Sequence, residues 1–186
     1  MIIHLIRHTT PEIETGICYG QTDLSLAKTF EQEAETVITK LLDHYDVVYT
    51  SPLQRCSNLA AKLTSQNQIT DPRLMEYNFG DWELLPWDQF KSDQAQSWMN
   101  NFVDQPAPNG DSMLSMHARV IEFWNQLLAE QHQTVAIVTH SGVQRLIHGE
   151  ILETPMTHLF RLQLDFGAVL EVNSDRKSGL ITIKHR

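Results

Sequence analysis

Residues 134–142 read TVAIVTHSG, and this stretch decides the fold. Thr134 to Thr139 is a short, nearly continuous apolar run, the pattern of a strand covered on both faces, as in parallel sheets. His140-Ser141-Gly142 interrupts it, and residues 143–152, VQRLIHGEIL, resume with helical spacing. The same plan occurs twice more toward the N-terminus. Ile2 to Ile6 forms a strand followed at once by Arg7-His8-Thr9-Thr10-Pro11, and Asp46 to Thr50 runs into Ser51-Pro52-Leu53-Gln54-Arg55. In the latter turn Ser51 has the chemistry of an N-cap, Pro52 suits the first helical position, and Gln54 sits at N3 of a capping box. Strand, turn and helix in alternation predict an α/β protein, a three-layer sandwich with a mostly parallel central sheet flanked by helices.

Outward from these units, residues 26–45 predict a helix whose Phe30, Ala34, Val37, Ile38, Leu41, Leu42 and Tyr45 form a core-facing stripe. A second long helix is expected from Ser112 to Glu130, with Met113, Met116, Val120, Trp124 and Leu127 along its buried side. Residues 160–172 alternate in polarity and can pair with 180–184 as a terminal pair of strands. Residues 84–105 differ: Trp87, Phe90, Trp98 and Phe102 lie among polar residues, the pattern of a short helical insertion and candidate lid. No linker divides the chain, so residues 1–186 are expected to form one domain.

Composition narrows the function. The 186 residues are 41% hydrophobic and 20% charged, which excludes a disordered chain. Acidic residues outnumber basic ones 23 to 14, for a net charge of −9, which argues against nucleic acid or an anionic membrane as partner. An anionic small molecule would need a local basic pocket. The N-terminal apolar run is too short for a signal sequence and no segment approaches the length of a membrane span, so a soluble, cytoplasmic protein is expected. Cys18 and Cys56 make no metal motif and read as two reduced thiols.

Ligands of open α/β sheets bind beyond the carboxyl ends of the strands. Those ends carry Arg7 and His8, Ser51 with Arg55, and His140 with Ser141. Three turns thus deliver cations or imidazoles to one rim, where helix N-termini add free N–H groups. Arginine's planar fork suits phosphate, so the expected guest is a small-molecule phosphomonoester. Four of the nine histidines, His44, His132, His158 and His185, fall away from the rim and read as structural or exposed.

Arg7-His8 after the first strand, Ser51-Pro52 with Arg55, Glu76 in LMEYNFGDWE, and THSG around His140 together resemble the histidine phosphatase superfamily, the clan of cofactor-dependent phosphoglycerate mutases and histidine acid phosphatases. GICYGQTDLSL (16–26), FGDWE (79–83) and PNGDSMLSMHARV (108–120) resemble in particular its alpha-ribazole phosphatases. The resemblance spans nearly the whole chain. It implies that His8 is a nucleophile forming a phosphohistidine, that Arg7, Arg55 and His140 bind the phosphoryl oxygens, and that Glu76 protonates the leaving alkoxide and then activates water. It implies neither metal nor cofactor, because arginines already neutralise the phosphoryl charge. The implied reaction is hydrolysis of alpha-ribazole 5′-phosphate. A broad-range sugar-phosphate phosphatase or a phosphoglycerate mutase-like enzyme is the alternative within the clan, and a metallohydrolase or a non-catalytic phosphate-binding module lies outside it. Trp82, Trp87 and Trp98 suit an aromatic base on the leaving group, or ordinary packing.

The pattern departs from the superfamily at two positions. Thr9 stands where glycine usually follows the histidine, and Glu14 stands where an asparagine often touches phosphate. The second departure moves phosphate binding onto other groups, with Gln21 or a backbone N–H as candidates; Ser141, beside His140, is a further expected substrate-binding residue.

Overall fold

A computed structural model describes all 186 residues. The strands are β1 (Ile2–Arg7), β2 (Tyr45–Thr50), β3 (Ser65–Thr70), β4 (Thr134–Thr139), β5 (Val169–Ser174) and β6 (Ile181–His185). The helices are α1 (Phe30–Ile38), α2 (Gln54–Ala60), α3 (Asp93–Asn101), α4 (Met113–Ala129) and α5 (Ser141–Ile151), with short 3-10 turns at Pro72–Leu74, Gly80–Trp82, Trp87–Gln89 and Met156–Arg161. One sheet runs β3-β2-β4-β1-β5-β6. Its first four strands are mutually parallel, and β5 and β6 are added antiparallel.

Side chains alternate across the sheet into two cores, which is why the central strands have no polar face. Ile3, Leu5, Val47, Tyr49, Val135, Ile137, Leu170 and Val172 point into the larger core, with residues of α4 and α5. Ile6, Val48, Ala136, Val138 and Val169 point into the smaller one, with Phe30, Ala34 and Val37 of α1 and Cys56, Leu59 and Ala60 of α2. The predicted three layers are therefore present. Among the buried polar residues of the strands, His4 lies mid-strand and fully buried, sharing hydrogen bonds with the Tyr45 hydroxyl at 2.5 Å and Glu171 at 3.4 Å.

Several local expectations change. The helix predicted over 26–45 is only Phe30–Ile38, because the chain turns after Thr39 and Tyr45 already begins β2. Leu41 and Leu42 still pack on the smaller core, so the apolar stripe outlasts the helix. The capping box at Ser51 does not form. α2 begins at Gln54 behind an extended Leu53, and the Gln54 N–H is received by the Asp23 carboxylate at 2.8 Å. Residues 156–161 form a 3-10 turn rather than the start of a strand, and only Val169–Ser174 is extended. Polar β3, SQNQIT, was not anticipated; five of its six residues are exposed on the sheet's edge. By contrast α4 starts where expected, with reciprocal bonds between Ser112 and Ser115 closing its first turn. Cys18 and Cys56 are both free and buried.

Candidate active site

Strand register assembles the site. Arg7 pairs with Thr139 and Thr50 with Val138, so β1, β2 and β4 end level. The ladder continues one residue further, with His8 N–H donating to the Thr139 carbonyl at 2.9 Å and Ser51 N–H to the Val138 carbonyl at 3.0 Å. His8, Ser51 and His140 therefore leave the sheet side by side. The His8 and His140 rings meet edge to face with centroids 5.1 Å apart.

His8 is only 2% exposed, and its Nδ1 lies 2.7 Å from its neighbour Thr9's carbonyl oxygen. A carbonyl can only accept, so Nδ1 carries the proton and Nε2 keeps its lone pair. Burial, with Arg55 and then Arg7 nearby, holds the His8 pKa well below the ordinary 6.5. The imidazole is thus neutral at neutral pH. Thr9 does not occupy the left-handed region that glycine alone would favour, so its substitution for glycine costs the backbone nothing.

The cations are fixed by backbone carbonyls. Arg55, fully buried, donates from Nη1 to the Thr22 carbonyl at 2.8 Å and from Nη2 to the Gly20 carbonyl at 2.5 Å. Arg7 donates to the Leu164 carbonyl at 2.5 Å and lies 3.9 Å over the Phe166 ring. The Nε atoms of both arginines are buried without a partner, a state that a bound anion would relieve. His140 Nε2 shares a 2.8 Å hydrogen bond with Ser51 Oγ. Burial, then His8, Arg55, Arg119 and Arg7, hold its pKa well below the ordinary value.

Glu76 is held at both ends. Its carbonyl accepts from Gln21 Nε2 at 3.1 Å and Arg119 Nη2 at 2.9 Å. Its carboxylate accepts from Tyr77 N–H and Gly142 N–H, both at 3.0 Å, and from Ser141 Oγ at 3.3 Å. Gln21 thus positions Glu76 and, like Arg55 and His140, is not among the residues that line the cavity. Exposed Glu14 does not line it either. Glu83 accepts from the backbone N–H groups of Gln21 and Thr22 at 2.7 and 2.5 Å, while Asp111 accepts from Asn78 N–H and Arg119. The three stretches 16–26, 79–83 and 108–120 therefore form one scaffold around Glu76 and Arg55.

A Cβ at Gly142 would collide with the Glu76 carboxylate. Gly142→Ala is expected to cut activity at least tenfold while leaving Tm within a few degrees. Glu76's flexible end can swing aside, and alanine suits the helix by up to about 1 kcal/mol. A matching fall in Tm and activity would instead mean general misfolding.

Beside His8 opens a cavity of about 210 Å³ lined by Arg7, Glu76, Ser141, Arg145 and an aromatic wall. Tyr19, Phe79, Trp87, Trp98, Phe102 and Phe160 build that wall, with Met113 and Met116. Of the three tryptophans singled out from sequence, Trp87 and Trp98 line the cavity; Trp82 packs behind them, its ring 5.2 Å from that of Trp98. Tyr19, Arg145 and Phe160 had not been singled out. Tyr19 lies inside the stretch 16–26 already quoted for its resemblance, whereas Arg145 and Phe160 carry no motif of their own, and only the tertiary fold brings them to the cavity. Nowhere do three or more His, Cys, Asp or Glu side chains group in a way that could hold a metal ion. No helix is long and apolar enough to cross a membrane.

Burying His4, His8 and His140 with lowered pKa values links stability to pH. Below about pH 6.5 the unfolded chain takes up protons that the folded one refuses, so stability is full above that pH and falls as pH drops. Each histidine contributes up to about 1.4 kcal/mol per pH unit. Urea midpoints measured at pH 7.5 and 5.5 should show a clear loss at the lower pH; equal midpoints would mean that the buried imidazoles protonate freely in the fold.

A family model described as histidine phosphatase superfamily (branch 1) matches residues 3–183. The chain is 27% identical over 194 aligned positions to an adenosylcobalamin/alpha-ribazole phosphatase of Salmonella typhimurium, covering 99% of this chain and 95% of that protein. It is 29% identical to a 2,3-bisphosphoglycerate-dependent phosphoglycerate mutase of Bartonella henselae, over 77% of each. A solved structure of the alpha-ribazole phosphatase from Shigella flexneri superposes with a TM-score of 0.87 at 24% identity, covering 100% of this chain and 95% of that one.

Proposed function

The chain belongs to the histidine phosphatase superfamily, and from that premise we propose a phosphomonoesterase that works through a phosphohistidine on His8, with alpha-ribazole 5′-phosphate as its substrate. The observation that carries the chemistry is the His8 ring, held neutral with its free Nε2 lone pair beside a cavity, by a carbonyl on Nδ1. Nε2 attacks phosphorus, the bond from phosphorus to the ester oxygen breaks, and Glu76 gives its proton to the departing alkoxide. Water then attacks the phosphohistidine, Glu76 takes the water's proton, and the electrons of the phosphorus–nitrogen bond return to Nε2 as phosphate leaves. Splitting the displacement in two replaces one hard step by two easier ones. Arg7, Arg55 and His140 stabilise the phosphoryl charge from fixed positions.

The substrate follows from the other wall. An aromatic and methionine-lined space suits a flat, apolar leaving group, since stacked rings gain about 0.5–1.5 kcal/mol per pair beyond area burial. The segment 84–105, which contributes Trp87, Trp98 and Phe102, serves as the cover over that group. The Salmonella relative's name agrees with this leaving group. One observation favours a second reading: Arg145, also on the cavity wall, suits a carboxylate such as that of a phosphoglycerate.

Phosphate release with EDTA present should separate the two readings, comparing alpha-ribazole 5′-phosphate, 3-phosphoglycerate and p-nitrophenyl phosphate by kcat/KM. The expected result is a preference for the ribazole of about a hundredfold, which corresponds to about 2.7 kcal/mol of differential transition-state binding. Equal values, or a preference for 3-phosphoglycerate, would withdraw the substrate while keeping the mechanism. Activity that appears only on restoring a metal would overturn the mechanism.

A further inference from the structure

A carboxyl group that serves first as acid and then as base needs one oxygen kept for the travelling proton. The two oxygens of Glu76 are not equivalent. Oε2 accepts from Gly142 N–H at 3.0 Å and from Ser141 Oγ at 3.3 Å, whereas Oε1 accepts only from Tyr77 N–H at 3.0 Å. Each carboxylate oxygen offers about two lone-pair sites. Oε2 is therefore filled, and Oε1 keeps one site open.

A hydroxyl is free to rotate, and a second contact removes that freedom from Ser141. Arg145 Nη1 lies 3.2 Å from Ser141 Oγ, and a guanidinium can only donate. The serine oxygen accepts from Arg145, which leaves its own proton directed at Oε2. A hydroxyl that accepts from a cation is also polarised into a better donor. The two residues are four apart on α5, so they lie one turn apart on the same face. Arg145 is itself anchored. Its Nε donates to the Leu162 carbonyl at 3.0 Å, and its Cζ lies 5.5 Å from the centre of the Phe160 ring.

We infer that Ser141 and Arg145 are positioning residues for Glu76, holding Oε2 so that Oε1 is the oxygen that gives and takes the proton. This rests on the reading of Glu76 as general acid and base. In the first step the Oε1–H bond breaks, and the proton joins the ester oxygen as that oxygen's bond to phosphorus breaks. In the second, Oε1 takes a proton from the attacking water. A Cβ at Gly142 would run into Oε1 itself, so the glycine keeps that oxygen clear. Ser141, expected from the sequence to bind substrate, acts instead through Glu76.

Ser141→Ala should lower kcat/KM about tenfold for the alkyl phosphate that the wild-type enzyme hydrolyses best, the lower end for a hydrogen bond to a charged group. p-Nitrophenyl phosphate, whose leaving group needs little protonation, should lose about threefold or less. Inhibition by orthovanadate, which carries no leaving group, should not change. Arg145→Met should show the same pattern, and the double variant should be no slower than the slower single one, because both act through one contact. Adding Ser141→Ala to Glu76→Gln should cost nothing further. Equal losses on the two esters with weakened vanadate inhibition would make Ser141 a phosphate ligand and overturn the assignment. An unchanged rate on the alkyl ester, or losses that multiply in the double variant, would overturn it too. The reading of Glu76 as the acid fails separately, if Glu76→Gln itself slows both esters alike.

Discussion

Replacing His8 with alanine is expected to lower kcat by about 10⁴-fold or more, since removal of a covalent nucleophile takes away the whole first step. The loss should be equal for every phosphomonoester, because all share that step. Fold and function are separable here. His8→Asn keeps an amide N–H near the position of Nδ1, so it can still donate to the Thr9 carbonyl that His8 serves at 2.7 Å. It should therefore be as inactive as His8→Ala but closer to wild type in Tm, because the carbonyl is not left buried and unpaired, a penalty of about 1–3 kcal/mol. Both variants should also lose part of the destabilisation at low pH, since one buried imidazole is gone. Either variant retaining more than a hundredth of wild-type turnover would remove His8 from the mechanism.

Glu76→Gln is the second large effect, and its signature is a dependence on the leaving group. The amide cannot donate a proton to an alkoxide, so alkyl phosphates should lose about 10²–10⁴ in kcat/KM. p-Nitrophenolate leaves without protonation, and its ester should lose tenfold or less in the first step. Hydrolysis of the phosphohistidine depends on water activation by the same residue, so phosphoenzyme should accumulate with this substrate in the variant. Tyr77 N–H and Gly142 N–H meet different oxygens of the carboxylate, each at 3.0 Å; the glutamine amide can accept from only one of them, so stability should fall by about 1–3 kcal/mol for the donor left unmet. Equal losses on both esters would assign Glu76 to binding rather than to proton transfer.

The fold was legible where burial dictates composition. β1, β2 and β4 are covered on both faces, so their apolar runs had no competing reading. β3 escaped because an exposed edge strand has no core to face, and SQNQIT carries the polarity of a loop. The helix over 26–45 was overextended because Leu41 and Leu42 meet the core from a turn, a geometry that hydrophobic spacing does not separate from a helix. Ser51 illustrates a different limit. It reads as the N-cap of a helix with Gln54 at N3, but α2 begins only at Gln54 and the Ser51 hydroxyl pairs instead with the His140 ring. At the site, the Arg7, His8, Ser51, Arg55 and His140 group was readable because strand ends carry it. Arg145 was not, because it reaches the cavity from the second turn of a helix and nothing local marks it, and Tyr19, though inside the quoted stretch 16–26, is placed at the cavity only by the path of its loop. Gln21 was assigned to the ligand and instead positions Glu76 through its backbone, a role set by a contact 55 residues away in sequence.

The central claim is the covalent intermediate, and rapid-quench trapping of the phosphoenzyme tests it most directly. Wild-type enzyme mixed with labelled phosphomonoester and quenched in base within one turnover should carry one phosphoryl group, stable to alkali, lost in mild acid and mapping to His8. No label in that window, or an acid-stable label on another residue, would contradict the account.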